Sequence, residues 1–336
     1  MQKSDYTIKF LAEDKFEIWN TLVSNSNSTI FHSLEWLSTY KRIFGDDFKL
    51  LVISKKQNVL GGCVIFPSTK LNQKTSTLPF LNYYNGIIFD SDFTVQNISS
   101  ETKRKFELTS EIAIFLEKEF AWVYLSHNSA LKDVRVFNDR NWNVKVSYTL
   151  RNELLDENSQ FEKIRNARRR HIKKAINSEC FVKEHYDFET SYNFQIEARI
   201  SNGVNFRFEK DNFINFMKLL KEMNLIKSYF VFSKSGEPLG NWIVGTFKEQ
   251  LFSLISGIKK GKYPEVNFIG TFLMYKVLSN EELRNDFSEL DFIGANTPGI
   301  REFKGDFGGE LVPFYQTEFI NSKSLKSARF VKQKIF

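Results

Sequence analysis

Apolar positions along the chain change period in a recurring order. Over residues 33–44, Leu34, Leu37, Tyr40 and Phe44 stand on one helical face, and Gly45 sits where a helix ends. Residues 50–66, LLVISKKQNVLGGCVIF, then form two apolar, partly β-branched runs around a polar turn, which predicts a hairpin. More strand follows, then a helix over 100–119 and a strand over 121–126. The order returns downstream. A helix over 213–223 uses Phe213, Phe216, Met217 and Leu220, and residues 229–245, YFVFSKSGEPLGNWIVG, read as a second hairpin. A helix over 268–283 and a strand over 290–294 complete the second series.

The two hairpins align without a gap. Val52 meets Val231, Ser54 meets Ser233, Lys55 meets Lys234, Leu60 meets Leu239 and Gly61 meets Gly240, five identities in 17 positions. Any two hairpins share apolar runs and a polar turn, so the identities at fixed offset carry the inference of duplication. Copies this far apart are duplicated domains rather than a solenoid of short repeats. The polar stretch over 152–159 marks the boundary. The expected organisation is an N-terminal domain over 1–151, a C-terminal domain over 152–320 that holds the main candidate site, and a basic tail over 321–336. The expected class is α/β (α+β), each half a twisted mixed sheet flanked by helices.

Composition agrees. A chain of 336 residues suits two domains of roughly 150. The 42% hydrophobic and 26% charged residues exclude a disordered or fibrous chain. The 35 Phe residues accompany abundant Lys, Asn and Ile, which reads as coding bias rather than a cofactor box. Cys63 and Cys180 stand alone, and His32, His127, His171 and His185 are scattered without metal-ligand spacing, so no metal is expected. No stretch reaches 18 apolar residues and no signal-peptide pattern opens the chain, so the expected location is the cytoplasm. The basic tail, with Leu325, Phe330, Val331, Ile335 and Phe336, reads as a frayed terminus or as a peripheral contact at the inner membrane face. A net charge of +7 favours anionic partners.

Four segments are candidates for chemistry. The run SQFEKIRNARRRHIKKAINS from Ser159 is expected to be one helix, opened by a Ser159–Glu162 capping box. Phe161, Ile164, Ala167, Ile172, Ala175 and Ile176 form its apolar stripe. Arg165, Arg168, Arg169, Arg170, Lys173 and Lys174 cover the rest, as a solvated face or as a platform for RNA or phosphate. The segment GANTPGIREFKGDFGGE from Gly294 carries Arg301, Phe303, Lys304 and Phe307 among glycines that let a backbone approach a ligand closely. LNYYNGIIFD, from Leu81 to Asp90, brings Tyr83, Tyr84 and Gly86 ahead of a strand, as a site wall or as turn and core. Arg207 precedes a helix, where a cation opposes the dipole, so it is either a ligand contact or a surface arginine. No nucleophile elbow and no phosphate-binding P-loop occurs, so nucleophilic catalysis and ATP hydrolysis are not indicated. Amine attack on an activated acyl donor needs only positioning and oxyanion stabilisation, and fits better.

TIFHSLEWLSTYKRIFG, the GGCVIF hairpin, RNARRRHIKKA and FKGDFGG occur together in an order that resembles the FemAB-like branch of the GNAT acyltransferases. That branch includes BioF2-like acetyltransferase domains and the Fem-type peptidoglycan peptidyltransferases. The resemblance covers about residues 30–315. It implies two tandem GNAT-like domains and transfer of an aminoacyl or acyl group to an amine of a cell-envelope precursor. It implies Phe303 and Lys304 at the reaction centre. It also implies Arg207 on precursor phosphate, and Tyr83, Tyr84 and Gly86, with Asp90, along the cleft.

No tightly bound cofactor is implied; the donor is aminoacyl-tRNA or acyl-CoA. The glycine-rich pyrophosphate loop of coenzyme A enzymes is replaced by GKYPEVNFIGT, with only Gly270 in register. The long charged helical hairpin of larger Fem proteins is also missing, so tRNA binding would rest on the basic helix. The acceptor is expected to be an anionic precursor such as a nucleotide-sugar or a lipid-linked peptide, and no DNA is expected. Two other readings stand beside this one: an acyl-CoA-dependent N-acyltransferase acting on an amino sugar or amino acid, and a non-enzymatic RNA-binding protein.

Overall fold

The structure, a computed structural model, describes residues 5–91, 97–200, 208–259 and 268–335. In chain order the first elements are β1 (Tyr6–Phe10), α1 (Phe16–Ser24), α2 (Leu34–Phe44), β2 (Lys49–Lys55), β3 (Asn58–Ile65), β4 (Pro67–Lys70), β5 (Gln73–Ser76), β6 (Ile88–Phe89), α3 (Ile98–Glu119), β7 (Trp122–Ser126), α4 (Arg135–Asp139) and β8 (Asn143–Glu153). Then follow α5 (Glu157–Lys163), α6 (Asn166–Asn177), β9 (Phe181–Glu184), α7 (Phe188–Ile200), α8 (Lys210–Glu222), β10 (Ile226–Phe232), β11 (Pro238–Phe247) and β12 (Gln250–Ile258). The chain ends with α9 (Ile269–Leu278), α10 (Glu281–Asp286), β13 (Glu289–Asp291), α11 (Pro298–Gly305), β14 (Glu310–Ile320) and α12 (Lys323–Ile335).

Both expected hairpins form, as β2–β3 and β10–β11. Each has a bulge, and it falls at matched residues: pairing skips Leu60 in the first and Leu239 in the second. The Leu60 carbonyl accepts the Asp90 N–H at 3.1 Å, and the Leu239 carbonyl accepts the Lys259 N–H at 2.8 Å. Gly61 and Gly240 both lie against the neighbouring strand. A Cβ on Gly61 would meet the Ile88 carbonyl oxygen at 2.7 Å, and one on Gly240 the Gly257 carbonyl oxygen at 3.0 Å. The repeat is therefore a repeat of backbone geometry.

The chain divides into two units, Met1–Ser147 with Pro313–Phe336, and Tyr148–Val312. The first holds the antiparallel sheet β1-β2-β3-β6 and the strands β4-β5-β7-β14, with β5 and β7 parallel. The second holds β9-β10-β11-β12-β13-β8, in which β12 and β13 are parallel. Mixed sheets flanked by helices are the expected class. The division differs from a linear split after residue 151. β8 ends the first half in sequence, yet its last residues pair with β13; β14 ends the second half, yet it pairs with β7. Strand pairing, not chain order, decides which residues share a core.

Helix α2 begins with the Ser33 side chain accepting the Trp36 N–H and ends at left-handed Gly45, φ 75°. It buries Trp36, Leu37 and Tyr40, and α8 buries Phe213, Phe216, Met217 and Leu220. Two expected helices are broken. The run from Ser159 is α5 and α6, with Ile164 extended between them (φ −75°, ψ 135°) and fully buried. Asp156 caps α5, and Ser159 donates its hydroxyl to Asp156 at 2.6 Å instead of forming a capping box with Glu162. The run over 268–283 is α9 and α10, because Asn280 caps a new helix by accepting the Leu283 N–H at 2.9 Å.

In the first unit, α3 packs Leu108, Ile112, Ala113 and Leu116 against Leu51, Ile53, Cys63 and Val123. In the second, α9 packs Ile269, Phe272, Leu273 and Val277 among Trp242, Val244, Leu290, Phe292 and Phe307.

Candidate active site

The site forms where β8, β13 and α11 meet inside the second unit. Past Asp291 the chain donates the Phe292 N–H to the Leu150 carbonyl at 2.9 Å and the Ala295 N–H to the Tyr148 carbonyl at 2.7 Å. It spends three steps where β8 advances two. Ile293 (φ 50°) and Gly294 (φ 96°) absorb the extra residue in left-handed conformations. A β-branched residue at positive φ is strained, and such strain collects at functional sites.

Helix α11 follows, with Pro298 at its first turn. It returns Lys304 to that turn: Nζ donates to the Phe292 carbonyl at 2.7 Å and to the Gly294 carbonyl at 2.9 Å, and lies 5.4 Å from the Phe292 ring. Burial pulls the ammonium pKa from its ordinary 10.5 down to about 8, while the negative charge of Asp291 acts in the opposite direction. Phe303, beside it in sequence, is partly buried against the second core and edge-on to Phe307 at 5.5 Å. Gly309 closes the segment where space permits no side chain, since a Cβ there would meet the Arg151 carbonyl oxygen at 2.9 Å.

The basic helix meets this segment. The Arg168 guanidinium lies 4.8 Å over the Phe303 ring, and its Nε donates to Asp306 at 2.9 Å. Arg165 reaches the same carboxylate at 3.3 Å. Arg169 turns back along its own chain to the carbonyls of Ile164, at 2.6 Å, and Glu162. Lys173 is exposed, with its ammonium 5.9 Å from the Phe161 ring. Arg168 and Arg169 thus spend their hydrogen bonds holding α11 and the α5–α6 junction. Arg301, on the same helix as Lys304, is exposed.

The first-unit residues occupy their own network. Tyr84 is buried, edge-on to Phe314 at 5.5 Å, and Tyr83 is half-buried 5.5 Å from Phe31. Gly86 abuts His127, whose Cα a Cβ would meet at 2.6 Å. Asp90 lines a cavity of about 660 Å³ with Asn25, Leu60 and Arg104. Arg207 and the whole of GKYPEVN lie outside the described residues. Among the described residues no group of three or more His, Cys, Asp or Glu is arranged to hold a metal, and no helix is long and apolar enough to cross a membrane.

Sequence reasoning overlooked Asp291, Thr149 and Asp306. Asp291 alone carried a signal: it interrupts an apolar run, and a carboxylate at a buried strand position needs partners.

No protein-family model matches the chain, and a search of curated proteins finds no match. Solved structures do match. FemX is similar at 10% identity and a TM-score of 0.65, over 96% of this chain and 99% of that one. A domain assigned to a lysylphosphatidylglycerol synthetase of Agrobacterium fabrum is similar at 10% identity and 0.56, over 95% and 96%. A tandem GNAT protein from the clavulanic acid biosynthesis pathway is similar at 9% identity and 0.53, over 93% and 98%. The chain therefore has the tandem GNAT fold.

Proposed function

We propose that this chain is an acyltransferase that moves an aminoacyl or acyl group onto an amine of a cell-envelope precursor. The observation that carries the reading is the Lys304 ammonium. It has three N–H bonds. Two go to the carbonyls of Phe292 and Gly294, and in this reading the third is given to a substrate oxygen. With a pKa of about 8 the group is mainly charged at neutral pH. As the acceptor amine attacks the acyl carbonyl carbon, the carbonyl oxygen gains negative charge and takes the third N–H. The intermediate collapses by breaking the bond to the donor, a tRNA ribose oxygen or a coenzyme A sulfur, and the amine gives up a proton to solvent or to the leaving group. FemX and the lysylphosphatidylglycerol synthetase domain, which share the fold, support a precursor or lipid acceptor rather than a histone-like one. For a phosphate-rich donor the surface charge comes from Arg165, Arg170, Lys173 and Lys174, all exposed.

The test is incubation with a charged-tRNA pool and, separately, with acyl-CoAs, in the presence of nucleotide-sugar and lipid-linked peptide acceptors, with products read as mass shifts. An acyl or aminoacyl adduct on an acceptor amine that is lost in Lys304→Ala supports the reading. RNase sensitivity assigns the donor to tRNA. An adduct formed equally by Lys304→Ala removes Lys304 from the chemistry, and RNA binding with no adduct in any arm overturns the enzyme.

A further inference from the structure

The carbonyls that hold Lys304 belong to a strained turn, and something must hold the turn. Thr149, on β8, is fully buried, and Asp291, at the end of β13, is 2% exposed. The Thr149 hydroxyl donates to Asp291 Oδ1 at 2.5 Å. The same Oδ1 accepts the Ile293 N–H at 2.7 Å, and Thr149 Oγ1 accepts the Gly294 N–H at 3.1 Å. The N–H groups of both left-handed residues are thus tied to one two-residue unit. The Phe292 carbonyl shares a trans peptide with the Ile293 N–H and so faces the other way, onto the ammonium; the Gly294 carbonyl is opposed in the same way to the Ala295 N–H, which the Tyr148 carbonyl accepts at 2.7 Å.

We infer that Thr149 and Asp291 are positioning residues for Lys304: their hydrogen-bonded pair locks the Ile293–Gly294 turn in the conformation that aims two carbonyls at the ammonium. Neither touches the reacting atoms; both act through Lys304. The hydroxyl is the indispensable part, because it is the one group that donates to the carboxylate and accepts from the turn. A serine keeps both bonds, and a valine of the same shape keeps neither. Without them Ile293 relaxes toward ordinary backbone, the carbonyl cradle opens, and the lysine side chain leaves its buried position for solvent. The other charges on the surrounding elements are already engaged. Arg151 on β8 pairs with Glu289 at 3.3 Å and lies 3.9 Å from Asp291 Oδ2, the oxygen that the Thr149 hydroxyl does not bond, and Arg168 on α6 pairs with Asp306 of α11 at 2.9 Å. Glu302 on α11 is exposed. Asp291 is the charge that acts on Lys304.

The inference rests on Lys304 being the functional group of the site, but its test needs no substrate. Intact protein is labelled with trace acetic anhydride across the neutral and alkaline range, and the Lys304 peptide is quantified by mass spectrometry. The midpoint of the labelling profile reports the ionisation of Lys304, independently of how fast it labels. The wild type is expected near 8, and Thr149→Ser at the same midpoint. Thr149→Val is expected to move toward the ordinary 10.5 as the cradle opens. Asp291→Asn retains an oxygen acceptor but loses the charge that favours the ammonium, so its midpoint moves below the wild-type value. A Thr149→Val midpoint equal to wild type overturns the inference, and so does a Thr149→Ser midpoint that follows valine. If Thr149→Val does not fold, the decision passes to Asp291→Ala, which removes the acceptor as well as the charge: a midpoint above the wild type is expected as the cradle opens, and one below it, as loss of the charge alone gives, overturns the inference. A depressed wild-type midpoint together with full turnover by Lys304→Ala would retire the proposed function and leave the positioning intact; a wild-type midpoint at the ordinary value would retire the positioning alone.

Discussion

The two halves end matching strands, β7 and β13, in opposite ways. After β7 the polar groups of Ser126 and His127 turn inward. The Ser126 carbonyl accepts the N–H groups of Asn85 and Gly86 at 3.0 and 2.9 Å. His127 Nδ1 accepts the Ile87 N–H at 3.2 Å, so its proton sits on Nε2, 2.9 Å from Thr317 Oγ1. Burial first, and His32 second, hold the His127 pKa down to about 3, which keeps the ring neutral. After β13 the chain instead turns through two left-handed residues and offers its carbonyls to a lysine. One strand end closes a core; its counterpart supports a charge with a hydrogen bond to give. The proposed function places chemistry at the strand end whose carbonyls hold a charge rather than close a core.

That contrast is sharpened most by Lys304→Ala. Turnover is expected to fall about 1000-fold, the scale of a lost oxyanion donor, with thermal stability nearly unchanged. The comparison breaks if stability collapses with activity. In the first half the opposite is expected. Gly86→Ala forces a Cβ against His127 and costs about 3 kcal/mol of stability by denaturant titration, as overpacking does. Tolerance of that alanine would mean the first half is not held by this contact.

A smaller effect is expected from Asp306→Ala, which releases Arg165 and Arg168. About 1–2 kcal/mol is expected in urea unfolding, since the Arg165 side chain is 65% exposed and its share is screened. No loss would make the Arg168–Phe303 contact sufficient to dock the helices.

A further effect is a pH slope. His127 folded titrates near 3 and unfolded near 6.5, so between those values the unfolded chain binds more protons. The stability contributed by His127 is present above 6.5 and is lost as pH falls toward 3. His127→Gln should flatten this slope in denaturant titrations at successive pH values. An unchanged slope would assign acid sensitivity to other groups.

Much of the fold was legible. Periodicity placed α2 and α8 through the residues they bury, and the ungapped match of 50–66 to 229–245 located hairpins whose bulges coincide at Leu60 and Leu239. The basic helix misled because the charge run hid a break at Ile164, whose burial outweighs helical continuity. Its arginines read as a solvated face or a platform for phosphate, and spacing does not disclose that Arg168 is bound to Asp306, a partner far along the chain.

By itself the sequence determined the two hairpins, the helices α2 and α8, and the segment that carries Phe303 and Lys304. These follow from side chains read against their near neighbours, where a 3.6- or 2-residue period decides which face is buried. Only the tertiary structure decided that the last residues of β8 serve the second unit and the last residues of β14 the first, that Arg168 braces α11, and that Thr149 meets Asp291 across 142 residues. A buried polar group must find its partner wherever packing brings one, and that partner's distance along the chain leaves no periodic trace.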